Sequence, residues 1–103
     1  MTIALLHKHY SEKHLEEVAN EMAVLGAPSI KAIWSEVYGM WLAVEGCHRI
    51  RAAKQLGFEP IIDDISDDAT VTMESDGEDT EVLVHDLLEE LTENAPRTEI
   101  VDF

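Results

Sequence analysis

A single cysteine, Cys47, stands in the 103-residue chain, so no disulfide can close within it and its thiol is free. That suits a reducing compartment, where small domains fold without cross-links. No apolar run approaches the ~18 residues needed to cross a bilayer as a helix, which excludes membrane insertion through such a span. The opening Met1 to Lys8 holds a short apolar patch without a basic leader, an extended apolar segment and a small-residue cleavage site. A cytoplasmic location is therefore expected. Internal repeats and linkers of flexible composition are lacking too, so residues 1–103 are read as one domain, long enough to bury roughly two-thirds of the surface of the unfolded chain.

Basic charge is scarce in one half only. The chain has 7 Lys and Arg against 22 Asp and Glu, a net charge of −15. Residues 1–57 balance six basic residues with six acidic ones, whereas residues 58–103 set Arg97 alone against sixteen acids. Such a field repels a polyanion, so direct DNA binding is disfavoured. The acidic half is either a solvated face or a docking surface for a basic protein, with mimicry of DNA as the sharper form of the second.

What is present is organised around Met40 to Gly57. Trp41 and Ala43 suit a buried strand, Gly46 breaks it, and Ile50, Ala53 and Leu56 recur at helical spacing until Gly57 offers a stop. In a strand, turn and helix of this kind, the backbone N–H groups near Cys47, His48 and Arg49 lack intrahelical partners and lie at the positive end of the helix dipole. This is a candidate phosphate cradle. The plainer reading makes Gly46 a turn, Arg49 and Arg51 solvated charges, and Cys47 a small buried hydrophobe.

Around this centre the pattern predicts an α+β fold, a small mixed sheet with packed helices. Ser11 is a plausible N-cap for a helix with Leu15, Val18, Ala19, Met22 and Leu25 on one face, ended by Gly26 and Pro28. A hairpin follows, with Ile30, Ala32 and Trp34 on one strand, a turn at Ser35-Glu36, and a return over Val37 to Val44. Ile61, Ile62 and Ile65 read as a third strand, Thr70 to Met73 as a short fourth, and Ser75 to Asp79 as a turn. Leu83, Val84, Leu87, Leu88 and Leu91 mark a second amphipathic helix, with Glu81, Asp86, Glu89, Glu90 and Glu93 outward and Pro96 as its stop. Ile3 to Leu6 suits an edge strand or an apolar terminus, and Ile100, Val101 and Phe103 pack or add a last strand.

Two clusters suggest metals only faintly. His7, His9 and His14 come without a clear frame of Cys or carboxylate ligands, and are read as a solvated helix start. Asp63, Asp64, Asp67 and Asp68 offer oxygen ligands to Mg²⁺ or Ca²⁺, but neither their spacing nor that of Asp76-Gly77-Glu78-Asp79 matches a calcium loop. A solvated acidic loop is the reading for both.

The order Gly46-Cys47-His48-Arg49, followed by Arg51-Ala52-Ala53 and Leu56-Gly57, resembles the ParB/sulfiredoxin superfamily. In sulfiredoxins the matching turn reads Gly-Cys-His-Arg, with a reactive Cys and with His and Arg on ATP phosphates. In ParB-type domains it reads Gly-Glu-Arg-Arg-x-Arg-Ala-Ala and holds a nucleotide or belongs to a nuclease-like site. The likeness is strongest over residues 11–65, leaving 66–103 as an acidic extension with one helix. It implies Gly46, Cys47, His48, Arg49, Arg51 and Lys13 as residues binding ATP or another nucleotide, with or without Mg²⁺, and Cys47 as the catalytic thiol if there is one. A thiol at a helix N-terminus beside basic groups is of the reactive kind. ATP-dependent sulfinic-acid repair and nuclease-type phosphoryl chemistry are the enzymatic forms implied. Glu16 departs from the pattern, standing where sulfiredoxins carry a nucleotide-contacting Ser, and so does Glu45 ahead of a single Gly. A non-enzymatic acidic interaction module is the alternative.

Overall fold

The first helix begins where a serine can cap it. In the computed structural model, which describes residues 1–75 and 77–103, the Ser11 hydroxyl accepts from the His14 N–H, and helix α1 runs Glu12–Leu25 until Gly26 turns the chain at φ +85°. Helix α2 occupies Cys47–Leu56 between Gly46 and Gly57. Leu15 and Met22 of α1 pack on Ala52 and Ala53 of α2, whose small side chains let the two helices approach closely.

Five strands form the main sheet. They are β1 (Thr2–Ala4), β2 (Ser29–Ser35), β3 (Met40–Ala43), β4 (Ile61–Asp64) and, after the next hairpin and helix, β7 (Ile100–Asp102). Their order is β4-β2-β3-β1-β7, and the sheet is mixed: β1 runs parallel to β3, β4 parallel to β2, while β2 with β3 and β1 with β7 are antiparallel. The N-terminal segment is therefore an interior strand and not an edge. Both of its neighbours come from far along the chain, with Ile3 opposite Trp41 on one side and Val101 on the other.

A second sheet, β5 (Thr70–Ser75) with β6 (Glu78–Leu83), is an antiparallel hairpin followed at once by α3 (Val84–Asn94) and a 3-10 turn over Ala95–Arg97. Here the sequence expectation needs correction. The span of Ser75 to Asp79 touches Asp76, which lies outside the described residues, as does part of the Asp76-Gly77-Glu78-Asp79 run. Beyond it, Glu78–Leu83 is strand and not the first turn of a helix. Val82 faces Val71 across the hairpin, and the Thr70 hydroxyl donates to the Glu81 carboxylate at 2.6 Å, so cross-strand pairing outweighs the helical spacing of Leu83. Leu83 ends up exposed at the N-cap of α3, and the buried stripe of that helix is Val84, Leu87 and Leu91.

The main sheet is covered on both faces. Ile3, Leu5, Ile30, Ala43 and Val101 pack against Cys47 and Ile50 of α2. On the other face, Ala4, Ile33, Met40, Leu42 and Val44 meet Val71 and the buried stripe of α3. For this reason β2 does not alternate as expected: Ile30, Ala32 and Ile33 are all buried, while Trp34 stays partly exposed and meets Trp41 edge-on at 5.1 Å. Among the described residues no helix is long and apolar enough to cross a membrane.

Candidate functional site

Gly46 shapes the first turn of α2. It sits at φ +80°, ψ +30°, and a Cβ added there would lie 2.8 Å from Ile30 Cδ1 and 3.4 Å from the Arg49 guanidinium, so backbone conformation and space both call for glycine. The Gly46 carbonyl accepts from the Ile50 N–H at 2.8 Å. No side chain caps the helix and its first turn holds no acid. Among the described residues the N–H groups of Cys47, His48 and Arg49 have no intramolecular partner, and the positive end of the helix dipole is concentrated there.

The segment between β1 and α1 is drawn over this turn. The Ser11 N–H donates to His48 Nε2 at 3.0 Å, and the Cys47 thiol points to the His7 carbonyl at 3.8 Å. Accepting at Nε2 makes His48 a neutral imidazole with its proton on Nδ1. Its pKa is lowered from the usual histidine value, first by burial and then by the charges of His14, Arg51 and His7. The His14 ring meets it edge-on at 4.4 Å. Arg49 folds back over Gly46, donating to the Ser29 carbonyl at 2.9 Å and to the Glu45 carboxylate at 3.2 Å.

These groups enclose a cleft of about 350 Å³ lined by Leu6, His7, His14, Val18, Gly46, Cys47, His48 and Arg49. Among the described residues no carboxylate lines it, in a chain whose net charge is −15. Of the six residues expected at the site, the structure brings together Gly46, Cys47, His48 and Arg49. Cys47 is only 6% exposed, so its thiol is a wall of the cleft and not a projecting group.

Arg51 is turned elsewhere. Its guanidinium stacks on Tyr10 at 4.2 Å, pairs with Glu99 and donates to the Lys8 carbonyl, and its side chain is 11% exposed. It lines a separate cavity of about 360 Å³ with Lys54 and Asp102. Its Nε lies buried without a hydrogen-bond partner among the described residues. Arg51 thus holds the segment that carries His7 and Ser11, and touches the cleft only through it. Lys13 is exposed on α1 and lines neither cavity, while Glu16 faces a third one beside Tyr10, Glu12 and Gln55. Glu16, the departure from the sulfiredoxin pattern, thus stands off the cleft together with Lys13.

His7 and His14 were not expected there. The available signal was spacing: His14 and Val18 are four apart on α1 and share one face, which the capped helix aims at α2. His9 meets His7 at 6.0 Å but does not line the cleft. Among the described residues no three His, Cys, Asp or Glu side chains are arranged to hold a metal ion. In the acidic run, the Asp64 carboxylate accepts from the Ser66 N–H at 2.9 Å, and bonding to Ser66 lowers its pKa. No protein-family model, curated protein or solved structure matches the chain.

Proposed function

We propose that the chain binds a phosphate-bearing ligand in the cleft at the N-terminus of α2, a nucleotide being the class that the ParB/sulfiredoxin resemblance implies. One observation carries the reading: three amides without an intramolecular partner among the described residues, Arg49 and three histidines surround a cavity that no carboxylate of the described residues lines, in a protein of net charge −15. A phosphate replaces the missing capping group, and Arg49 can exchange Glu45 for two phosphate oxygens through its planar fork. The donor set fits a phosphate. ATP would be held by the amides of Cys47 to Arg49 and by the Arg49 guanidinium, without Lys13 or Arg51. Binding is proposed here ahead of catalysis, since sulfinic-acid repair or any other attack by Cys47 requires its thiol to leave the His7 carbonyl.

Calorimetric titration with ATP, ADP, CTP and GTP, with and without Mg²⁺, tests this. Arg49→Ala should weaken binding tenfold or more, since a hydrogen bond to a charged group contributes about 1.5–3 kcal/mol. A second reading rests on where the acids lie. Glu78, Asp79 and Glu81 of β6 and Asp86, Glu89, Glu90 and Glu93 of α3 are exposed on the layer across the sheet from the cleft. A basic partner can dock there without covering the cleft, and absence of binding by all four nucleotides favours that module as the whole function.

A further inference from the structure

The cleft does not end at Arg49. Beyond that side chain and Val18, which it shares, lies a groove of about 260 Å³ between the end of α1 and the start of β2. Its other walls are Met22, Leu25, Ala27 and Pro28, with Glu21 at the rim. Leu25 is 81% exposed, although Leu15 and Met22 on the same face of the helix are buried. The two spaces differ in character: one is lined by His7, His14, His48 and Arg49 and by no carboxylate of the described residues, the other is apolar and bears a carboxylate.

We infer that cleft and groove form one bipartite site for a phosphate monoester with a compact apolar substituent, the phosphate at the N-terminus of α2 and the substituent against Val18, Met22 and Leu25. This rests on the phosphate reading above, not on the nucleotide that the resemblance implies, and adds to it the ligand's second half and its direction. Glu21 repels a second anion, so the charged end enters the histidine side and the apolar end the groove. Arg49 stands between them as the common wall of both; once its guanidinium leaves Glu45 for the phosphate, its methylene stem can cover the apolar substituent.

The test compares inorganic phosphate, phenyl phosphate and phenol by ¹H–¹⁵N NMR titration of the full chain, in the wild type and in Leu25→Ser. Leu25 is exposed, so this change leaves the core intact. Phenyl phosphate should bind at least tenfold more tightly than phosphate, about 1.4 kcal/mol, shifting amides of Val18 to Pro28 as well as Cys47 to Arg49. Leu25→Ser, which removes the apolar contact without adding charge, should remove that advantage while leaving phosphate binding unchanged. Equal affinities for phosphate and phenyl phosphate overturn the bipartite site but leave the phosphate reading standing. Phenol binding as well as phenyl phosphate makes the groove a separate site and overturns the inference also. Shifts from neither phosphate nor phenyl phosphate overturn both readings.

Discussion

Replacing Gly46 with alanine strikes the turn on which the cleft depends, and its cost can be worked from the structure. The left-handed φ of +80° costs an L side chain about 1–2 kcal/mol. The new Cβ would lie 2.8 Å from Ile30 Cδ1. Ile30 is fully buried, so relieving that overlap shifts packed atoms and adds about 1–3 kcal/mol. Loss of glycine's freedom in the unfolded chain returns about 0.4–1 kcal/mol. A net loss of about 1–4.6 kcal/mol is expected, and a central value of about 2.8 kcal/mol lowers Tm by about 11–22 °C for a domain of this size. Thermal and urea unfolding followed by circular dichroism measure it. Ile30→Val removes the atom that clashes and alone costs about 0.5–1.5 kcal/mol. In that background Gly46→Ala should cost only the backbone component, a coupling of about 1 kcal/mol or more. A Gly46→Ala cost below about 0.5 kcal/mol would refute the account of the turn, and an identical cost in both backgrounds would refute the contact with Ile30.

Three further outcomes follow from the same geometry. Because the folded pKa of His48 is lowered, the unfolded chain binds the extra proton first; stability should be intact above the ordinary histidine value and fall as pH drops from about 6.5 toward the folded value. Urea midpoints from pH 7.5 to 5.5 show this as a decline that is smaller in His48→Asn, and parallel profiles for the two proteins would contradict it. Leu87→Ala should cost about 2–5 kcal/mol, since Leu87 is buried between α3 and the sheet; a loss below about half a kcal/mol in urea unfolding would make α3 peripheral. Cys47, nearly covered and turned to the His7 carbonyl, should be alkylated more slowly at neutral pH than a free thiol in solution. Intact-mass kinetics matching the free thiol would show that the segment over α2 opens readily.

The parts of the fold written in short-range chemistry were legible in the sequence. Ser11, Gly26, Gly46 and Gly57 bound two helices where caps and turns belong, and the turn at Gly46 to Arg49 could be named from its residues alone. The interior position of β1 was not legible, because it is set by pairing with β3 and β7 and not by anything in Thr2–Ala4. The strand Glu78–Leu83 was hidden by leucines whose helical spacing starts in earnest only at Val84. At the cleft, Gly46, Cys47, His48 and Arg49 lie together because they are adjacent in the chain. Lys13 and Arg51, which the resemblance implies as their companions, lie away from the cleft, and for Arg51 the reason is long-range, since Glu99 and Tyr10 draw it to the other side. The same long-range clasp brings His7 to the cleft, which is why its position there was hidden in the sequence.

The most direct test of phosphate binding is ATP titration into ¹⁵N-labelled protein, reading the backbone amides of Cys47, His48 and Arg49. The three unpartnered N–H groups are expected to shift furthest and saturably, together with those of His7 and His14, and Arg49→Ala should abolish the saturation while preserving the rest of the spectrum. Saturable shifts confined to other parts of the chain, or no shift at these amides at millimolar ATP, would contradict the account.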